Sequence, residues 1–145
     1  MEPVNGQRTE DTSPCVLLVD DNSLALMLMS TSLNELGCKV LSAGNGQEAL
    51  EILRSGKSVD LVVTDLGMPV MNGLELLRQI RESERLRDLP VILCSGDADE
   101  ATMKKATEYK CSRYLLKPVL PDFLFEQIEA VLSHAEVPYL SPQPN

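Results

Sequence analysis

The chain has 145 residues, 43% of them apolar and 24% charged, ordinary values for one soluble globular domain. Its 13 basic and 22 acidic side chains give a net charge of −9, which speaks against non-specific binding to nucleic acid or to an anionic membrane, since both need a basic surface. The longest apolar run, Leu24 to Met29, is far too short to cross a bilayer.

Residues 1–13 are polar, contain Pro3 and Gly6, and lack a basic stretch followed by an apolar one. They read as a flexible tail rather than a signal peptide, and the expected compartment is the cytoplasm. Cys15–Val19 is a continuous apolar run, the signature of a strand buried on both faces. A helical pattern follows over 23–36, with Asn22 or Ser23 as its cap and Gly37 as its left-handed terminator. Within it Ala25, Leu28, Met29, Ser32, Leu33 and Leu36 share one face, which predicts that Leu24, Leu26 and Met27 stand at least partly exposed. Further strands are predicted at Lys39–Leu41, Leu61–Thr64, Val91–Cys94 and Tyr114–Leu116, and further helices near 46–54, 73–84, 98–109 and 121–134. Asn72 caps the third helix, Pro121 suits the first turn of the fifth, and the fourth offers only small apolar groups and one Met. Residues 136–145, with Pro138, Pro142 and Pro144, form a second tail, so one domain spans 14–135. Five β/α units in strict alternation imply a parallel five-stranded sheet with helices on both faces and right-handed crossovers.

Cys15, Cys38, Cys94 and Cys111 form no CxxC pair and read as reduced, mostly buried thiols. The single His134, near the end of the last helix, reads as a solvated cation. Nucleophilic triads and multi-His metal sites are therefore not expected.

Open parallel sheets bind ligands outside the carboxyl ends of their strands, where the strand order reverses. Asp20 and Asp21 follow the first strand, Asp65 the third, Ser95 the fourth, and Lys117 with Pro118 the fifth. In the order 2-1-3-4-5 the three carboxylates converge, flanked by Ser95 and Lys117. Such carboxylates repel one another, and a hard divalent cation with oxygen ligands, Mg²⁺, relieves the repulsion. A carboxylate beside Mg²⁺ and a lysine is equipped to take a phosphoryl group as an aspartyl phosphate, by positioning and charge neutralisation. Singly, each element has a plainer reading: a loop and helix cap for Asp20-Asp21, turn chemistry for Asp65 and Ser95, and almost nothing for Lys117-Pro118. The weight lies in their arrival at the ends of four different strands.

Val-Asp-Asp-Asn at 19–22, Asp-Leu-Gly-Met-Pro at 65–69, Met-Asn-Gly at 71–73, Cys-Ser-Gly at 94–96 and Tyr-Leu-Leu-Lys-Pro at 114–118 together resemble a response-regulator receiver domain of two-component phosphorelay signalling. The resemblance covers about residues 14–134 and is to the single-domain, chemotaxis-regulator-like members. It implies a flavodoxin-like, doubly wound (βα)5 three-layer sandwich, and the strand order 2-1-3-4-5 is part of that implication. It further implies that Asp65 is the phosphoacceptor. Asp21 would ligate Mg²⁺ directly, Asp20 would act through water or nearby, and the Gly67 carbonyl would complete the protein's share. Ser95 and Lys117 would bind phosphoryl oxygens, Tyr114 would change rotamer with Ser95, and the Lys117–Pro118 bond would be cis. The implied donor is a histidine kinase or a histidine phosphotransfer protein, and the output is a contact with a downstream protein, with no turnover beyond the domain's own phosphorylation and dephosphorylation.

Three departures stand out. Lys110-Cys111 replaces the usual Gly–small pair before the fifth strand, so the fourth helix lacks its Gly terminator. Gly67 and Asp97, two residues after Asp65 and Ser95, hold positions that influence water access in the family. A Mg²⁺-dependent phosphohydrolase with an aspartyl nucleophile is a rival reading, but it would carry a second Asp where this chain has Gly67. A binding-only module is opposed by the complete Asp20, Asp21, Asp65, Ser95 and Lys117 set. The initial Met and short tails read as a complete chain, although a receiver excised from a hybrid histidine kinase or larger regulator would share every motif. Finally, Leu24, Leu26 and Met27 beside the Asp65 pocket form a small apolar patch suited to a helix of the phosphohistidine donor.

Overall fold

Five short apolar runs pair into one parallel sheet in a computed structural model that describes residues 13–133. Residues 1–12, the C-terminal tail and His134 lie outside the described residues. The strands are β1 (Cys15–Val19), β2 (Lys39–Ala43), β3 (Leu61–Asp65), β4 (Val91–Ser95) and β5 (Arg113–Leu116), in the order β2-β1-β3-β4-β5. The helices are α1 (Ser23–Leu36), α2 (Gly46–Arg54), α3 (Gly73–Glu82), α4 (Glu100–Glu108) and α5 (Pro121–Leu132). This is the flavodoxin-like (βα)5 sandwich expected.

The two-residue alternation of strand side chains divides the core into two sheets of contact. Leu17, Val19, Val62 and Leu93 face Leu50, Leu53, Leu76, Leu77 and Ile80 of α2 and α3. Val16, Leu18, Val63, Ile92 and Leu115 face Leu33, Leu124 and Ile128 of α1 and α5. Every residue of β3 and β4 is buried, which is why both read as continuous apolar runs.

Several boundaries differ from the sequence pattern. β2 runs on to Ala43, and Asp65 and Ser95 are the last residues of β3 and β4 rather than the residues after them. α3 stops at Glu82, and α4 occupies only Glu100–Glu108. The face of α1 is also rotated from expectation. Leu26 and Met29 pack on the core and Leu33 is fully buried, whereas Ala25 and Leu28 are exposed, Leu28 by 58%. Six consecutive apolar residues carry no polar marker to fix the helix phase. The phase is set instead by Leu33 in the later turns and by a Ser30–Ser42 hydroxyl contact of 3.3 Å to β2.

The ends of α1 and α4 solve one problem in two ways. At α1, Gly37 takes φ +114° and the Cys38 N–H donates to the Leu33 carbonyl at 2.9 Å. At α4, Lys110 takes φ +59° without being glycine, and the Cys111 N–H donates to the Ala106 carbonyl at 3.0 Å. Arg81 reinforces this second terminus from α3. Its guanidinium donates to the carbonyls of Tyr109 (2.9 Å) and Lys110 (3.0 Å) at the end of α4, and to those of Arg87 (3.0 Å) and Leu89 (2.7 Å) before β4. One side chain thus ties two loops that cross between α3, β4 and α4. Replacing the left-handed lysine with Lys110→Gly should stabilise the fold by about 1 kcal/mol. Arg81→Ala should cost about 2–3 kcal/mol, the scale of hydrogen bonds to a charged donor. Urea unfolding of both variants checks this; equal stability of Arg81→Ala and the parent would show that the four bonds hold nothing.

Candidate functional site

Two neighbouring strands deliver the acidic residues to one place. β1 and β3 pair in register from Val16↔Leu61 to Val19↔Thr64, so Asp20 and Asp21 leave β1 beside the end of β3, where Asp65 sits. The Asp20 N–H bonds the Ala43 carbonyl at 3.1 Å, which keeps this residue in the strand direction, and the Asn22 N–H then donates to Asp20 Oδ1 at 2.9 Å. Asn22 in turn caps α1, its Oδ1 accepting the Ala25 N–H at 2.9 Å. On the β3 side, the Leu66 N–H reaches the Cys94 carbonyl at 2.8 Å, and the Gly73 N–H reaches the Leu66 carbonyl at 3.0 Å. A side chain at Gly73 would run into the Asp65 backbone carbonyl, so α3 presses against the end of β3 as only glycine allows.

The outcome is a cluster in which one carboxylate oxygen from each of Asp20, Asp21 and Asp65 lies within 4.8 Å of the others. Asp65 is only 9% exposed. Lys117 arrives from β5, whose ladder is prolonged by a 2.8 Å bond from its N–H to the Ser95 carbonyl, and its Nζ lies 2.6 Å from Asp65 Oδ1. The Lys117–Pro118 bond is cis. Burial pushes the Asp20 carboxyl above the usual carboxylate range. The Asn22 N–H opposes this, and the charge of Asp65 adds to it. Burial would lower the Lys117 ammonium, but the hydrogen bond and charge of Asp65 hold it above its ordinary value. Behind them, burial pushes the Cys94 thiol up to about 12, so it stays protonated and is no nucleophile. An all-oxygen donor set of crowded carboxylates is chemistry suited to a hard cation.

Ser95 is buried, and its hydroxyl donates to the Asp97 carbonyl at 2.9 Å while accepting the Asp97 N–H at 3.2 Å. The Tyr114 hydroxyl lies 3.4 Å from that same carbonyl. The structure therefore joins Ser95 and Tyr114 through the backbone of Asp97, a link with no counterpart in sequence spacing. Gly67 is exposed, with open space where its Cβ would stand.

Two features escape the sequence pattern altogether. The buried Thr64 hydroxyl donates to the Asp65 carbonyl at 2.9 Å, a contact its apolar neighbours do not advertise. Val70 adopts φ +69° and is 81% exposed, while the Met71 N–H bonds the Pro69 carbonyl at 2.7 Å around it. A β-branched residue in the left-handed region is a strained γ-type turn that sequence chemistry argues against. On α1, Leu24, Met27 and Leu28 are exposed and Leu26 is half-buried, so Leu28 joins the outer patch and Leu26 belongs mainly to the core.

Comparison with known proteins bears on the whole fold. The profile of the response regulator receiver domain matches residues 16–129. The "Chemotaxis protein CheY homolog" of Campylobacter jejuni is 35% identical over 118 residues, covering 81% of this chain and 91% of that protein. Among solved structures, a response regulator receiver protein from Pseudomonas putida superposes with a TM-score of 0.76 at 35% identity, over 81% of this chain and 96% of that one. The signal receiver domain of a signal transduction histidine kinase from Syntrophus aciditrophicus does so with a TM-score of 0.77 at 26% identity, over 92% and 100%. Among the described residues no helix is long and apolar enough to cross a membrane. The domain class so matched is one that undergoes its own phosphorylation and dephosphorylation rather than turning over a separate substrate. The five-stranded order, the acidic cluster at the ends of β1 and β3 and the match over residues 16–129 lead to one assignment: this chain belongs to the response-regulator receiver family, of the CheY-like type.

Proposed function

We propose that Asp65 accepts a phosphoryl group from a phosphohistidine on a histidine kinase or histidine phosphotransfer protein, in a Mg²⁺-dependent reaction in the cytoplasm, and that the product switches contacts with a downstream protein. The observation that carries this reading is the convergence of three carboxylates within 4.8 Å, with Lys117 Nζ 2.6 Å from the most buried of them. Asp21, Asp65 and the Gly67 carbonyl would hold the cation, with Asp20 acting through water. When bound, Mg²⁺ would neutralise charge on the transferring group.

The chain's own residues do the rest. An Asp65 carboxylate oxygen forms the new O–P bond as the P–N bond of the donor breaks, and the imidazole leaves with that electron pair and takes up a proton. The Lys117 ammonium, already on Asp65 Oδ1, stands where it can shift to a phosphoryl oxygen without crossing solvent. Ser95 must turn its hydroxyl away from the Asp97 carbonyl to reach the phosphoryl group, and Tyr114 loses a neighbour on that carbonyl when it does. This links the chemistry to α4 and β5. The exposed Leu24, Met27 and Leu28, with half-buried Leu26 beneath, offer the donor a small apolar helix face next to the site.

Acetyl phosphate labelling tests the acceptor. The parent should gain one phosphoryl group by intact mass and Asp65→Asn none; stoichiometric labelling of that variant would sink the assignment.

The metal is tested by melting. Mg²⁺ bound only to the folded state should stabilise it by about 2.7 kcal/mol at one hundred times its Kd, and Asp21→Ala should weaken that gain. Asp20 binds its proton more tightly folded than unfolded, so its contribution is present at low pH and is lost as pH rises through its folded pKa. Metal-free Asp20→Asn should consequently melt higher than the parent at neutral pH, with the difference closing below the carboxylate range. A parent that melts at or above the variant at neutral pH contradicts this.

Docking is tested by truncating Met27 and Leu28 to Ala. Transfer from a cognate phosphohistidine protein should slow by about tenfold or more, the scale of a lost contact of ~1.4 kcal/mol, while labelling by acetyl phosphate stays normal. Equal slowing with both donors would point to damage at the site instead.

A further inference from the structure

Beside the acidic cluster a cavity of about 480 Å³ opens inward between α1, the strand ends and the β5–α5 loop. That volume is within the range of small-molecule sites, roughly 300–1,000 Å³. Leu18, Val63, Leu124 and the Cys94 side chain form its floor, and Leu26 and Met29 its α1 wall, all apolar and all part of the core on that face. Its rim is different in kind, carrying Asp20, Asp65 and Lys117. Two small residues, Ala25 and Gly96, are also part of its lining.

The rim decides the class of occupant. Lys117 is paired with Asp65 at 2.6 Å and its charge also reaches Asp20, but one ammonium against the three carboxylates of Asp20, Asp21 and Asp65 leaves the rim net negative. The one hydrogen bond Asp20 accepts among the described residues comes from the Asn22 N–H, on Oδ1. We propose that this cavity is a binding site for a small cationic amphiphile, its alkyl or arylalkyl body in the apolar chamber and its ammonium at the rim against Asp20 and Asp65. Nothing in phosphoryl transfer requires the chamber, since the reacting oxygen lies at its mouth. An occupant would nonetheless compete with any cation held by the same carboxylates and would stand over the acceptor oxygen, so that a small amine becomes a negative input to the receiver.

The experiment titrates the intact chain with phenylbutylammonium, phenylbutanol and phenylvalerate, read by backbone amide shifts. The ammonium should give saturable shifts at Val63, Cys94 and Val119 and bind about tenfold tighter than the alcohol, and the carboxylate should bind weakest. Mg²⁺ should weaken the ammonium in proportion to its own occupancy. Ala25→Phe on α1 and Val119→Phe on the β5–α5 loop, two lining positions, should abolish the shifts while keeping the fold and the Mg²⁺ affinity of the parent. Absence of saturable shifts, equal binding of all three probes, or unchanged binding in two folded Phe variants overturns the proposal. A last arm rests on Asp65 being the phosphoacceptor: the ammonium should slow acetyl phosphate labelling in the parent and leave Ala25→Phe unaffected. If Asp65 takes no label at all, the functional reading fails while the binding result still stands.

Discussion

Three carboxylates held within 4.8 Å of one another are the constraint around which this molecule is organised. Left to themselves they would separate, because like charges at that distance oppose one another even near water. They stay because the backbone gives them no alternative. Asp65 is fixed as the last residue of a fully buried strand, Asp20 is tied to the neighbouring strand end and to the first turn of α1, and Gly73 lets α3 close over the β3 terminus. The Lys117–Asp65 pair offsets only part of the charge. The two core layers supply the stability that such a site consumes, and site chemistry and core packing are therefore two sides of one balance.

Much of this was legible in the residues themselves, for physical reasons that can be named. Continuous apolar runs locate strands buried on both faces, and the caps Asn22, Asn72 and Gly37 do in the structure what their chemistry predicts. Once the strands are placed, the candidate site residues fall at their carboxyl ends, Asp65 and Ser95 closing β3 and β4 and Asp20, Asp21 and Lys117 just beyond β1 and β5. Less visible was anything determined by packing between elements. The apolar run Leu24–Met29 looks the same from every side, so only the seat of Leu33 and the Ser30–Ser42 contact decide that Leu26 turns inward and Leu28 outward. Val70 and Lys110 lay out of reach for the opposite reason: each occupies a backbone region its own chemistry disfavours, and the surrounding loop imposes it.

Arg81 shows how a local irregularity is absorbed elsewhere. The chain ends α4 without glycine, and the missing conformational freedom is compensated by a guanidinium that comes from α3 and binds four carbonyls. The same residue therefore controls how firmly the α4–β5 corner is moored to the rest of the sheet. That corner leads into Tyr114, so the mooring lies within a few residues of the ring whose hydroxyl reaches the Asp97 carbonyl.

The group shared by Ser95 and Tyr114 is a main-chain carbonyl, that of Asp97. Every amino acid brings that oxygen with it. The side chain at 97 has a separate task, its Oδ1 accepting the Asp99 N–H at 3.2 Å where α4 begins, while the link between hydroxyl and ring passes through an atom that point substitution does not delete. A mutational scan at position 97 would read that side-chain bond and overlook the carbonyl. Only a change in the path of the backbone, such as a deletion in the β4–α4 loop or replacement of that peptide by an ester, would expose what the position carries.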